Sequence, residues 1–263
     1  ISEKTDIKII IIGTYPTKLP HKFSDADLII LGEPEKLFLE WNGELTSLLE
    51  GGGTQHSRNI DNLDQLPDPD YSLMNFQKFS YKPMLKGRCG FIESSRGCPY
   101  SCGYYCTYGE NQGAKIRSYS PQRIVKQMKS LHSKFGFNSF QFRDPVFGLS
   151  KKWVLAFCEE LRRADCAFKW GIETRLDLLS IKMLDLMKEN GLSSINVGVE
   201  TPNIEIAKAN KRKLDAPGHQ EEIINYAAKI GIKMNAFYIL GLEHDTLESC
   251  YATINYSLKL NTY

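Results

Sequence analysis

The sequence predicts an α/β fold in two parts: the closing portion of a doubly wound domain, then a partial parallel βα barrel. Three observations carry that expectation. A near-continuous β-branched run opens the chain, Ile7-Lys-Ile-Ile-Ile-Ile-Gly13. From Gly90 onward, short apolar runs alternate with helix-period segments five times. Gly136, Gly191 and Gly231 fall where the helices have to stop.

The elements follow in order. Residues Ile7–Gly13 read as a strand buried on both faces, and Thr14-Tyr-Pro-Thr17 breaks it. Asp27-Leu-Ile-Ile-Leu31 is a second strand, ended by Gly32-Glu-Pro-Glu35, and a helix-like segment runs to about Glu50. These make residues 1–50 the last two strands of a doubly wound domain. Residues 51–86 are polar and turn-rich, and read as a linker. Residues 87–263 then carry strands at Gly90–Ser94, Ser139–Phe142, Phe168–Ile172, Ser194–Val199 and Lys233–Leu240. Helices are expected at Pro121–Phe135, Lys151–Arg163, Ile181–Asn190, Gly218–Ile230 and Leu247–Leu260. Ser120-Pro121 is a strong helix start, with a capping hydroxyl before a proline at the first helical position. Parallel strands joined by helices put the working residues at the strands' carboxyl ends.

Composition narrows the function. The chain has 263 residues, 42% apolar and 24% charged, with a net charge of +2. That balance leaves no electrostatic footprint for nucleic acid. No apolar run approaches the ~20 residues of a membrane span. Seven cysteines without a signal peptide point to a reducing, cytoplasmic setting. The chain opens at Ile1 without methionine and stops just past a helix-like segment, so it reads as a piece of a longer protein.

Three cysteines concentrate the chemistry: Cys98, Cys102 and Cys106, in Arg96-Gly-Cys-Pro-Tyr-Ser-Cys-Gly-Tyr-Tyr-Cys-Thr-Tyr108. Gly97, Pro99 and Gly103 mark irregular backbone that can aim three sulfurs at one point. Three thiolates cannot fill a four-iron cluster, so one iron stays open for chemistry. A structural zinc site would need four closed ligands, and no histidine lies near. Unligated buried thiols are the bland alternative; a disulfide does not suit a reducing compartment.

Polar groups follow the other strands: Arg143-Asp144, Glu173-Thr-Arg175, Glu200-Thr201 and Gly241. The set suits a zwitterionic, sugar-bearing ligand such as S-adenosylmethionine. Asp144 or Glu173 can accept from an ammonium. Arg175 can clamp a carboxylate. Glu200, with Thr201 beside it, can accept from ribose hydroxyls, and Tyr104 or Tyr105 with Ile239-Leu240 can flank a purine.

On these residues the chain resembles the radical S-adenosylmethionine enzymes, in the branch with an N-terminal cobalamin-binding-type domain. The marks are Arg96-Gly-Cys-Pro-Tyr-Ser-Cys102, Arg117-Ser-Tyr-Ser-Pro121, Thr174-Arg-Leu-Asp177, Gly198-Val-Glu-Thr201 and Phe237-Tyr-Ile-Leu-Gly-Leu242 with Asp245-Thr-Leu-Glu248. Upstream, Gly13-Thr-Tyr-Pro-Thr17, Gly32-Glu-Pro-Glu35 and Leu63-Asp-Gln-Leu-Pro67 look like the end of the cobalamin-type domain. The resemblance implies the C-terminal part of a Rossmann-like domain followed by a partial (βα)6 TIM-like barrel, its sixth strand expected beyond Tyr263. It implies that Cys98, Cys102 and Cys106 hold a [4Fe–4S] cluster that reductively cleaves S-adenosylmethionine to a 5′-deoxyadenosyl radical. It also implies methylation, cyclisation or carbon–carbon bond formation on a small-molecule or lipid-like substrate, and an electron donor such as ferredoxin or flavodoxin.

Two features depart from the family pattern. The spacing is Cys-x3-Cys-x3-Cys rather than Cys-x3-Cys-x2-Cys. The base-off cobalamin motif Asp-x-His-x-x-Gly does not occur in the chain, which leaves cobalamin open. Two further readings stand beside this one: a tRNA-directed methylthiotransferase of the same superfamily, and a zinc-stapled binding module without catalysis.

Overall fold

The computed structural model describes residues 7–41, 43–75, 84, 85, 87–103, 105–214 and 217–262. The chain divides into two compact units.

The first unit runs to Leu66 and also takes in Arg96–Tyr100 and Tyr105–Arg117. Its sheet is parallel, in the order β1 (Ile10–Ile12), β2 (Leu28–Leu31), β3 (Gly53–His56). Only β2 is buried throughout, because it is flanked on both edges. β1 is an edge strand and half-exposed, which corrects the expectation of burial on both faces. Leu28, Ile30 and Leu48 form the core, with Ile10, Leu37, Trp41 and Leu49 against it. The segment read as one helix to Glu50 is two short ones, α2 (Glu35–Glu40) and α3 (Leu45–Leu49), preceded by α1 (Thr14–Lys18). Trp41 marks the break, donating its indole N–H to Glu44 O at 2.6 Å.

The segment read as a linker is corrected too. Gly53–His56 adds a parallel strand to β2, with Leu28 opposite Gly53 and Leu31 opposite His56. Its later part joins the second unit, where Tyr71 Oη donates to Phe91 O at 2.8 Å and Arg123 pairs with Asp68 at 2.9 Å.

The second unit holds a five-stranded, all-parallel sheet. Its strands are β4 (Cys89–Ile92), β7 (Ser139–Phe142), β8 (Lys169–Thr174), β9 (Leu192–Glu200) and β10 (Lys233–Tyr238). Each pairs with its neighbour in chain order. That is the sequential winding of a TIM-like barrel wall. A ribbon of two-residue strands, β5 (Ser95–Arg96) and β6 (Arg117–Ser118), brackets the cysteine loop, which also carries the short α4 (Tyr108–Gln112).

The helices α5 (Pro121–Phe135), α6 (Lys151–Arg163), α7 (Ile181–Glu189), α8 (Ile204–Ala209), α9 (Pro217–Lys229) and α10 (Leu247–Lys259) follow the later strands. Capping explains their bounds. Ser120 accepts from Arg123 N and Ser150 from Trp153 N, while Gly136 closes α5 at φ +69°. α5 buries Ile124, Val125, Met128 and Leu131, one face at i, i+4, i+7 spacing.

The core is aromatic. Phe142, Phe147, Trp153, Phe157 and Trp170 nest with ring centroids 5.1–5.9 Å apart. Trp170 is fully buried and donates Nε1–H to Asn190 O at 2.7 Å. Gly191 makes that approach possible: at φ +103°, a Cβ there would lie 2.1 Å from Phe168 O. No helix among the described residues is long and apolar enough to cross a membrane.

Candidate functional site

The cysteine loop leaves β4 at its carboxyl end. None of its three thiols is in a disulfide; Cys98 and Cys102 are buried and Cys106 is half-buried. Local backbone fixes the entry. Gly97 has φ +88°, and a Cβ on it would sit 2.2 Å from Lys115 O. Gly97 N donates to Gln112 Oε1 at 3.0 Å, and Cys98 N donates to Gly113 O at 3.0 Å. Cys98 and Cys106 fall in the first unit and Cys102 in the second. Among the described residues, no three His, Cys, Asp or Glu side chains are preassembled around a common point. The donor set itself, three soft thiols on one loop and none in a disulfide, suits an iron–sulfur cluster with one open iron.

At the strand ends of the second unit, the predicted polar residues divide in two. Three are spent inside the protein. Asp144 follows β7 and is 1% exposed. Its carboxylate accepts from Ser94 N at 2.7 Å, from the Ser95 hydroxyl at 2.8 Å, and from the Ser94 hydroxyl. Burial pushes its pKa up to about 6, against the pull of those bonds. Asp144 therefore ties β7 to the strand exit that leads into the cysteine loop. Arg175 is 3% exposed and forks onto Asp177, at 2.8 and 3.0 Å, with Nη2 also on Lys213 O at 2.9 Å. Its fork is taken by a neighbour two residues on, not by a ligand carboxylate. Thr201 is fully buried, in contact with Thr253 Oγ1 at 3.3 Å and capping Asn203 N at 3.2 Å. In the described structure, Arg175 and Thr201 are engaged by protein partners.

The others are more open. Glu173 pairs with Arg143, and Asn196 of β9 also bonds it. Burial raises its pKa against both. Leu240, past β10, is half-exposed. Tyr105 is half-buried, and Tyr104 lies outside the described residues.

Glu200 occupies an unusual position. It sits at φ +66°, in the left-handed region that a side-chain-bearing residue seldom adopts. The β9–β10 register slips there, Phe237 facing Gly198 and Tyr238 facing Glu200. The bulge turns the Glu200 side chain back over Gly198, where a Cβ would meet Glu200 Oε1 at 2.2 Å. Burial raises the Glu200 pKa, opposed by Arg212 and then Arg175.

Arg212 is the residue that sequence reasoning missed. It lies in the turn after α8. Its Nη2 donates to Gly198 O at 2.5 Å and stands 3.6 Å from Glu200 Oε1, while Nη1 reaches Cys102 Sγ at 3.9 Å. One guanidinium thus bridges a predicted metal ligand and the predicted ribose acceptor. No spacing signal marks it; it is one of four cationic residues in the stretch Lys208–Lys213.

Comparison with known proteins gives these residues a context. The Radical SAM superfamily profile matches residues 92–256. A chain from Rubrivivax gelatinosus, an anaerobic magnesium-protoporphyrin IX monomethyl ester cyclase, is 30% identical over 202 residues, covering 74% of this chain and 34% of that one. An uncharacterized methyltransferase of Pyrococcus horikoshii is 26% identical over 202 residues, covering 77% of this chain and 43% of its own. The chain spans less than half the length of both relatives. Among solved structures, the radical S-adenosylmethionine methyltransferase TsrM from Kitasatospora setae, with tryptophan and a SAM analogue bound, superposes with a TM-score of 0.78 at 16% identity, over 100% of this chain and 55% of that one. The cobalamin-dependent radical enzyme OxsB superposes at 0.71 and 16% identity, over 94% and 38%. These superpositions carry the fold, and the profile match carries the family. With the fold, the cysteine loop and the profile in agreement, the chain belongs to the radical S-adenosylmethionine superfamily of enzymes.

Proposed function

We propose that the chain is the core of a radical S-adenosylmethionine enzyme that methylates or cyclises a small molecule. Cys98, Cys102 and Cys106 would hold a [4Fe–4S] cluster, with its open iron left for S-adenosylmethionine. When bound, that pair supplies a one-electron reductive cleavage giving a 5′-deoxyadenosyl radical. The chain's own residues supply placement. Glu200, turned back over Gly198 by the bulge, offers its carboxylate to ribose hydroxyls. Arg212 opposes the burial that raises the pKa of that carboxylate, and sets a cation beside the Cys102 sulfur. Glu173, beside Arg143, is the more exposed acid and the better acceptor for an ammonium. Asp144 holds the loop's exit from β4.

The observation that carries the reading is the Arg212 bridge between Cys102 and Glu200. Substrates named for the relatives, a porphyrin ester and tryptophan, make a small organic molecule the expected class. An electron donor of the ferredoxin or flavodoxin type completes the set.

Anaerobic reconstitution tests this. The wild type should take up iron and sulfide and release 5′-deoxyadenosine from S-adenosylmethionine. Cys98→Ala should lose the cluster. Glu200→Ala should keep it but weaken S-adenosylmethionine binding about ten- to a hundredfold. A colourless wild type with no 5′-deoxyadenosine would refute the proposal.

A further inference from the structure

Two arginines flank the cysteine loop, Arg96 two residues before Cys98 and Arg117 eleven after Cys106. Both turn to one carboxylate, Glu33, in the turn that follows β2. Arg117 forks onto it, with Nη1 at 2.9 Å from Oε2 and Nη2 on Oε1. Arg96 Nη1 reaches Glu33 Oε2 at 3.3 Å and Glu35 Oε1 at 2.7 Å. Nη1 also donates to Ile60 O at 2.9 Å and Nη2 to Gln112 O at 2.7 Å. Glu33 is 7% exposed and Arg117 4%.

Burying such a network contributes little net stability, since desolvation offsets the attraction. Its geometry does something else. Both ends of the loop, and Gln112 within it, are fixed to one point on the small parallel sheet. Gln112 passes the constraint on, since its carbonyl takes Arg117 and its side chain takes Gly97 N, next to Cys98.

We propose that Glu33 is a positioning residue for the cysteine loop: one buried carboxylate on the N-terminal sheet gathers Arg96 and Arg117, and so sets where Cys98 and Cys106 present their sulfurs. Glu35 supports Arg96 from the same turn. The inference rests on the cluster-binding reading above, and it extends control of the metal loop to a part of the chain that carries none of its ligands.

The test compares the full chain as wild type, Glu33→Gln, Glu33→Asp and Arg96→Gln, with Asp27→Asn as control. Asp27 is the matching carboxylate at the opposite end of β2, bonded to Lys8 and to Ile9 N. After reconstitution, cluster loss to a chelator and the electron paramagnetic resonance of the reduced cluster are read. Glu33→Gln should release iron about ten- to a hundredfold faster, as loss of an outer-shell partner does, with an altered spectrum. Arg96→Gln should move both readouts the same way by less. Glu33→Asp should restore part of each, and Asp27→Asn should change neither. In metal-free protein, hydrogen exchange at the Gly97 and Cys98 amides should quicken in Glu33→Gln and, by less, in Arg96→Gln, but not in Asp27→Asn. Wild-type release and exchange in Glu33→Gln, or equal acceleration in Asp27→Asn, would overturn the inference. Should Glu33→Gln fail to fold, Arg96→Gln decides by the same two readouts. A wild type that takes no cluster sinks the proposed function, and the exchange measurement then still decides the role of Glu33.

Discussion

The two units are held in opposite ways. The five-stranded unit rests on a continuous apolar core centred on stacked and edge-on aromatic rings around Trp170. Among the described residues, the three-stranded unit has a small apolar cluster of Leu28, Ile30 and Leu48, and beside it the buried ion cluster on Glu33. Apolar burial is non-directional and yields stability; a charge cluster yields little stability but strict geometry. The larger unit is held by bulk apolar burial, and the smaller one carries the directional contacts.

Three substitutions break or sharpen that contrast. The largest effect should come from Trp170→Ala, at about 3–5 kcal/mol by urea denaturation, through the cavity it leaves. Less than about 1 kcal/mol would show that the aromatic nest is not the support of the larger unit. Next is Arg117→Met, about 3 kcal/mol or more, because Glu33 is left buried with only Arg96. The double change Arg117→Met with Glu33→Met should cost less than the single one. If the double were worse, the cluster would be a stabilising feature and the contrast would fail.

The smallest effect is the pH term of Asp144. Its pKa is raised by burial from an ordinary 3.8 to about 6. Its contribution to stability is thus fully present below about pH 4 and is lost as the pH rises through about 6. Asp144→Asn should then be more stable than wild type at pH 7, by on the order of 2–3 kcal/mol, with the gap closing near pH 4. Thermal melts of both proteins across that range check it; parallel curves would remove Asp144 from the account.

Much of the scaffold was legible in the sequence, because its punctuation is local. Ser120-Pro121 and Gly136 bound α5 where the sequence places it, and Lys151–Arg163 and Ser139–Phe142 also coincide with expectation. What escaped depends on neighbours far along the chain. β3 reads Gly-Thr-Gln-His, with no apolar pattern, and is a strand because β2 offers it an open edge. Strand-end position identified Asp144, Arg175 and Thr201 as special but not which way they face. Ser94, Asp177 and Thr253 decide that, and their pairings have no sequence period. Arg212 was hidden for the same reason, as one cation among several until the fold brings it to Cys102 and Glu200.

The backbone at Glu200 has a consequence of its own. A left-handed conformation at a residue with a side chain costs on the order of 1–3 kcal/mol, and glycine would relieve it. Relief would also remove the acid standing over Gly198. Sturdiness and aim are therefore in conflict at this position, and the chain has settled on aim. Selection for heat resistance alone would drift toward glycine there and give up the carboxylate assigned above to ribose binding.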